Sequence, residues 1–266
     1  MKIHHIRNAT CVIETAQHCI LVDPMLSKKG ELPPFAYLRF KMKRNPTKAL
    51  PDNAAAVLNK TTHGLITHNQ KFALRAFQHT DHLDRRGEDF LRTRNIPVIA
   101  HENDAAWLRK TGLNVLVGLN YWQAEPLLGG RLTAVPALHG HGWIHHFMAN
   151  GAGYYLELAG EPSLYISGDT VYTADVDRVL TQFKPDIAIM ASGRAELDIG
   201  GPILMSLPEL ITFAQKAPGH VIANHLEALN HCPATRQELQ HALDQNGLSR
   251  VVIPLDGETI TIEKGG

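Results

Sequence analysis

The stretch His79-Thr-Asp81-His82-Leu-Asp84 places three side chains able to ligate a metal within four residues, just ahead of an amphipathic helical pattern. In a turn that enters a helix, His79 can face one way while Asp81 and His82 face the other, so one short segment can serve two neighbouring cations. Imidazole nitrogens and carboxylate oxygens suit Zn, with Mn or Fe as alternatives. The competing reading is structural: His79 and His82 on the surface, with Asp81 or Asp84 capping the helix that follows. Three further segments carry the same chemistry: Pro136-Ala-Leu-His139-Gly-His141-Gly, Tyr165-Ile-Ser-Gly168-Asp169-Thr170 and Val221-Ile-Ala-Asn-His225-Leu-Glu227. Each begins where an expected strand runs out, which is where α/β folds gather their sites. Asp169 has two oxygens on one side chain and can bridge two cations at the roughly 3.5 to 4 Å separation of two-metal hydrolases; its structural alternative is a helix cap.

These residues need strands and helices to position them, and the chain supplies both. Short alternating runs at 3–6, 11–14 and 19–22 open the fold as a β-meander. From Gly64-Leu-Ile-Thr67 onward, strands alternate with helical stretches near 86–92, 104–110, 174–183, 207–216 and 234–245, the pattern of an α/β protein. Further strands are expected at 97–100, 114–117, 131–135, 153–158, 163–166, 186–190, 220–223, 251–253 and 259–262. Residues 25–53 differ: they are rich in Lys and Arg and interrupted by Pro33, Pro34, Pro46 and Pro51, and read as a long ordered excursion. As a substrate-contacting lip it would offer Arg39 or Lys41 to an anion and Phe35, Tyr37 or Phe40 to an apolar group; otherwise it is a surface loop or a subunit contact. No fixed-period repeat or disordered linker divides the 266 residues, so one domain over 1–266 is expected.

Composition narrows the function classes. There are 26 basic and 26 acidic residues, a balance without the electrostatic footprint of a nucleic-acid or anionic-membrane protein. The first ten residues lack the charged start and apolar core of a secretory signal, and no run of about 18 apolar residues occurs, so a cytoplasmic protein acting on a small molecule is expected. Cys11, Cys19 and Cys232 are odd in number and lack metal-finger spacing; Cys232 reads as a small buried residue. Histidine is the outlier, with 16 copies, and the surplus includes His141, His145, His146 and His231, which read as proton shuttles, substrate contacts or structural residues. There is no Gly-x-Ser-x-Gly elbow, no Gly-x-x-x-x-Gly-Lys-Ser/Thr loop and no Gly-x-Gly-x-x-Gly after a strand to suggest another catalytic centre.

The ordered set Ala9–Thr15, Leu21-Val-Asp23-Pro24, Leu65-Ile-Thr-His68, His79–Asp84, Pro136-Ala-Leu-His139-Gly140, Gly168-Asp169-Thr170 and His225 resembles the metallo-β-lactamase fold superfamily, in particular its cytoplasmic branch similar to ascorbate-6-phosphate lactonases. The resemblance covers nearly the whole chain. It implies a four-layer αββα sandwich with two divalent metal ions along one edge. It also implies His79 and His139 as ligands of the first ion, Asp81, His82 and His225 as ligands of the second, and Asp169 as the bridge. The chain departs from the family pattern His-x-His-x-Asp-His at its first position, where Phe77 stands. Ten residues separate His68 from His79 instead of one, so the motif carries an insertion at 69–78. If the extra residues loop out, His68 still ligates; if they displace it, one ion remains. Looped out, Lys71, Phe72, Leu74, Arg75 and Phe77 would form a protrusion beside the site.

The implied activity is a metal-dependent hydrolase that directs a metal-bound hydroxide at a small lactone, ester or phosphoester. Asp81 and Asp169 are its catalytic carboxylates, and Tyr37, Arg39, His141 and His231 its candidate substrate contacts. Two alternatives stand beside it: a degenerate member holding one ion or none and acting as a binding or scaffold protein, and an iron-dependent redox enzyme on the same fold. A homo-oligomer is compatible with the basic, aromatic excursion.

Overall fold

A computed structural model of the chain describes residues 1–69, 78–148 and 151–264. The strands are β1 (Lys2–Arg7), β2 (Thr10–Glu14), β3 (Cys19–Val22), β4 (His63–Ile66), β5 (Val98–His101), β6 (Val115–Leu119), β7 (Ala124–Leu127), β8 (Gly130–Ala137), β9 (Gly151–Leu158), β10 (Leu164–Ile166), β11 (Ile187–Ala191), β12 (His220–Asn224), β13 (Val251–Val252) and β14 (Thr259–Thr261). The helices are α1 (Ala54–Leu58), α2 (Arg85–Thr93), α3 (Glu102–Lys110), α4 (Ala174–Arg178), α5 (Leu207–Lys216) and α6 (Arg236–Gln245). Strands β14-β1-β2-β3-β4-β5-β6 form one sheet and β13-β12-β11-β10-β9-β8-β7 the other. In each, a run of antiparallel strands gives way to parallel ones, at β3–β4 in the first sheet and β10–β11 in the second.

Period-two alternation sorts the side chains of the first sheet into two faces. Cys11, Ile13, Ile20, Val22 and Leu65 turn towards the second sheet, where Leu132, Tyr154, Leu156, Ile187 and Ile222 meet them. Val12, Leu21 and Ile66 turn the other way and pack with Leu58, Leu91 and Leu108 of α1, α2 and α3. The far face of the second sheet is covered likewise by Val176, Leu210, Phe213, Leu239 and Leu243 of α4, α5 and α6. Helices, two sheets and helices again make the αββα sandwich that the sequence resemblance implies. No helix among the described residues is long and apolar enough to cross a membrane.

Several elements differ from the sequence reading, among them the short helix α1 and a single 3-10 turn at Ile144–His146, neither of which it includes. Strand β7 was not expected because Glu125 and Pro126 break its apolar pattern; it lies at the edge of its sheet, where a proline without an N–H is tolerated. The helical stretch 174–183 is α-helical only to Arg178 and continues as a wide π turn over Val179–Phe183. Residues 25–53 run without helix or strand apart from an isolated bridge between Leu32 and Asn45. Of the insertion at 69–78, residues 70–77 and the protrusion they would form lie outside the described residues.

Candidate metal centre

Five strand ends deliver the site. Beyond β3 comes Asp23, beyond β4 His68, beyond β8 His139, beyond β10 Asp169 and beyond β12 His225. The turn before α2 contributes His79, Asp81 and His82. Gly140 and Gly168, next to two of these residues, have φ of +112° and +61°, backbone geometry that a glycine adopts at no steric cost. The helix caps are supplied by other residues: Asp84 accepts from the Gly87 N–H at the start of α2, and Thr173 from the Val176 N–H at the start of α4. Asp81 and Asp169 are thus left for the site.

The side chains converge as two groups, His68 with His79 and His139, and Asp81 with His82, Asp169 and His225; within each, one ligand atom per residue lies within 4.8 Å of every other. His68 therefore meets His79 despite the ten residues between them, with ring centroids 4.6 Å apart. The Oδ2 atom of Asp169 stands between the groups, 3.1 Å from His82 Nε2, 3.5 Å from His225 Nε2 and 3.7 Å from His139 Nε2. Asp81 Oδ2 is 3.8 Å from His82 Nε2 and 3.9 Å from His225 Nε2.

Hydrogen bonds on the far side of the rings set how they face. His139 Nδ1 donates to the Ile203 carbonyl at 2.7 Å, and His82 Nδ1 lies 2.8 Å from Asp23 Oδ2, which turns both Nε2 atoms inward. Asp23 is itself fixed by the Thr67 N–H and hydroxyl. His225 Nδ1 is 3.6 Å from the Cys232 sulfur, so that buried thiol contacts a site histidine although it belongs to neither group. Asn8 links the two walls: its carbonyl accepts the His225 N–H and its amide donates to the Asp81 carbonyl. Asp23 entered the sequence reading only as an Asp-Pro turn, and Asn8 not at all. An Asp just before an excursion, or an Asn in a turn, carries no signal of which histidine it will face.

Three buried ring nitrogens, His68 Nε2, His82 Nε2 and His225 Nε2, together with Asp169 Oδ1, make no hydrogen bond among the described residues. One such atom is costly and four in one place are rare in a native interior. A divalent cation would satisfy them, and the all-N/O donor set fits a Zn-type ion. Burial, with the neighbouring imidazoles, pushes His68 well below the usual histidine range, and His79 falls to about 4 for the same reasons. Both rings are therefore in the neutral form that ligates. Burial opposes charge on Asp169, yet His225 and His82 outweigh it and hold its carboxyl well below the ordinary value.

A cavity of about 400 Å³ opens over His79, Asp81 and His139. Phe35, Ile144, Phe147, Met148, Leu197 and Ile203 form much of its wall, and no lysine or arginine lines it among the described residues. Of the candidate substrate contacts, His231 lines the cavity; Tyr37, Arg39 and His141 do not. Arg39 is paired with Glu196, the N–H groups of Tyr37, Leu38 and Arg39 donate to Asp198, and His141 is exposed against Glu209 at 2.8 Å. The excursion thus turns Pro34 and Phe35 towards the cavity, while its Arg39 is engaged elsewhere.

Comparison with known proteins adds a family. A model of the beta-lactamase superfamily domain matches residues 18–236. The UPF0173 protein YddR of Bacillus subtilis is 28% identical over 265 residues, covering 98% of this chain and 100% of that one. The UPF0173 metal-dependent hydrolase SPO2976 of Ruegeria pomeroyi is 28% identical over 200 residues, 73% of this chain and 74% of the relative. Among solved structures, an isothiocyanate hydrolase from Delia radicum gut bacteria superposes with a TM-score of 0.86 at 29% identity, covering 99% of this chain and 100% of the other. A possible metal-dependent hydrolase from Veillonella parvula also reaches 0.86, at 26% identity and 98% and 99% coverage. From the match across residues 18–236, together with the αββα layers and the histidine–aspartate edge they present, the chain belongs to the beta-lactamase superfamily domain family, on the metallo-β-lactamase fold.

Proposed function

We propose that the chain is a metal-dependent hydrolase in which His68, His79 and His139 hold one divalent ion, Asp81, His82 and His225 hold a second, and Asp169 bridges them. Zn suits this donor set best, with Mn or Fe as alternatives. The observation that carries the reading is the convergence of buried, unpartnered ring nitrogens beneath one open cavity. A degenerate, metal-free relative would have no reason to keep seven ligand-type side chains aimed at one another at this desolvation cost.

The cavity narrows the substrate. Its apolar wall and lack of a basic side chain among the described residues favour an uncharged electrophile with an apolar substituent over a phosphorylated one, so the ascorbate-6-phosphate lactonase analogy is not the reading we favour. The isothiocyanate hydrolase at 29% identity acts on a compound class of that kind, and esters and lactones without a phosphate fit the same description. When bound, the ions supply a water activated at neutral pH and a Lewis acid for the heteroatom of the electrophile. The chain's own groups do the rest. His82, braced by Asp23, and His139, braced by the Ile203 carbonyl, fix the donor geometry. Asp81 lines the cavity as a carboxylate: burial opposes its charge, but His82 and His79 keep its pKa below the ordinary value. It is placed to take a proton from the attacking water and return it to the leaving group. For an isothiocyanate the balance is R–NCS plus water giving R–NH2 plus carbonyl sulfide: a C–O bond forms, the C–N bond breaks, and both water protons end on nitrogen.

The test is elemental analysis of protein purified without chelator, beside turnover of benzyl isothiocyanate, 4-nitrophenyl acetate, γ-butyrolactone and bis-4-nitrophenyl phosphate. Two ions per chain and turnover of uncharged members of the panel are expected. Protein that holds no ion, takes none up from added Zn, Mn or Fe, and turns over nothing would sink the reading.

A further inference from the structure

Outside the two ligand groups, the cavity presents three polar side chains among the described residues, Gln78, Thr80 and His231. The Gln78 amide nitrogen is already committed to the Leu83 carbonyl and Glu88, and Thr80 is half-buried at the chain turn. His231 is different. It is buried, 4% exposed, and its Nδ1 makes no hydrogen bond among the described residues. Leaving a buried ring nitrogen unpaired costs stability unless something else pairs with it.

The surroundings of His231 hold the ring without occupying its Nδ1 among the described residues. Phe35 meets it edge to face, with centroids 5.3 Å apart and planes at 79°. Its carbonyl accepts the Glu196 N–H, which fixes the segment bearing Leu197, another part of the cavity wall. The neighbouring Asn230 accepts from the Phe35 N–H at 2.8 Å, donates to the Ala36 carbonyl at 2.7 Å and is joined to the Asn45 side chain at 3.1 Å. Residues 230–231 therefore pin two separate stretches of cavity wall around one preorganised ring.

Resting on the hydrolase reading for the nature of the substrate, we infer that His231 is a catalytic residue that hydrogen-bonds the heteroatom of an uncharged, apolar-substituted electrophile while Phe35 and Leu197 pack its substituent. A neutral imidazole brings one donor and one acceptor to that contact. A donor held in place before the reaction stabilises charge as it develops on the heteroatom without reorganising.

The experiment uses the metal-loaded protein with His231→Phe, which keeps a ring against Phe35 and removes both nitrogens, and His231→Gln, which restores a neutral hydrogen-bonding group. Metal content is measured for each, with kcat and KM on benzyl isothiocyanate. Binding of benzylthiourea, an unreactive analogue with the same N–C–S skeleton, is measured by calorimetry. The expectation for His231→Phe is unchanged metal content, a loss of about 100-fold in kcat/KM and analogue binding at least tenfold weaker, with His231→Gln recovering most of the loss. A His231→Phe protein that keeps its metal and stays within threefold of wild type in turnover and analogue binding overturns the inference. If wild type is inert towards isothiocyanates, that substrate assignment fails by itself, and the analogue decides the His231 contact: tenfold weaker binding by His231→Phe supports it, whereas equal binding, or none by wild type, rejects it.

Discussion

The two ligand groups stand side by side, but they are held in different ways. His68, His79 and His139 are all imidazoles; among the described residues their anchors are the Thr67 hydroxyl 3.2 Å from His68 Nδ1 and the backbone carbonyl of Ile203 behind His139, while His79 is half-buried at the cavity. The other group is fully buried, includes two carboxylates and leans on a third, Asp23, behind His82. Asn8 adds a bracket, taking the His225 N–H and giving its own amide to the Asp81 carbonyl. Neutral ligands coordinate a dication without neutralising it, whereas carboxylates do both, so the second group should hold its ion more tightly and the first should lose its ion first. What separates the two is charge and bracing more than distance.

Removing the shared carboxylate should have the largest effect. Asp169→Asn is expected to strip metal from both groups, leaving fewer than one ion per chain and lowering kcat by about 100- to 1,000-fold. His68→Ala should remove only the ion of the all-histidine group, with elemental analysis falling from two towards one. If Asp169→Asn kept two ions, Asp169 would not be a bridge; if His68→Ala also kept two, the insertion would have displaced His68 from the first ion despite its 4.6 Å approach to His79.

A smaller change sharpens the contrast. Asp23→Asn keeps the shape of the residue behind His82 but removes the charge that raises the basicity of the ring. Groups of this kind typically contribute 10- to 100-fold in metal affinity. The expected loss is of that order for the second group alone, measured by competition with a chromogenic chelator, and the ion of the first group should titrate as in wild type. Equal weakening of both sites would mean that Asp23 acts through the shared strand edge, where it also binds Thr67, and not through His82.

Much of this arrangement can be read from the sequence, and the parts that cannot share one physical cause. The αββα layers follow from alternation and from strand–helix order, which are local. The approach of His68, His139, Asp169 and His225 to the His79–His82 turn follows from each lying just past a strand, because β8, β10 and β12 run in one direction and end, with β4 of the facing sheet, at the same edge. The bracing residues are invisible before folding, since their roles depend on which backbone group they meet. Asn8 is opposite His225 only because the turn after β1 reaches the end of β12. Phe35 faces the cavity only because Asn230, 195 residues away, fixes its backbone. Charge alone also misleads there: the basic excursion suggests an anion site, yet Asp198 and Glu196 engage its Tyr37–Arg39 stretch, and the surface it turns to the cavity is apolar.

The smallest expected effect compares a histidine of the site with one outside it. Burial drives both His79 and His101 down to about 4. His101 lies outside both ligand groups: it accepts the Asn103 N–H at the start of α3 and stacks on Tyr121 with centroids 3.9 Å apart. A histidine whose folded pKa lies below its unfolded value near 6.5 contributes its full stability above about pH 6.5. Below that the unfolded chain takes up a proton that the folded chain refuses, so the contribution is lost progressively as the pH falls towards 4. His101→Asn keeps a good cap acceptor while removing the titration. Urea unfolding in the presence of chelator at several pH values between about 7 and 4 should then show stability falling less steeply with acid than in wild type, by at most one proton's worth of slope. With saturating metal the His79 contribution should change, because an ion on its ring excludes the proton in the folded state, whereas the difference made by His101→Asn should stay the same. If metal altered both alike, the site and the α3 cap would be coupled through β5, and the two regions would not be the independent structures their separate hydrogen bonds describe.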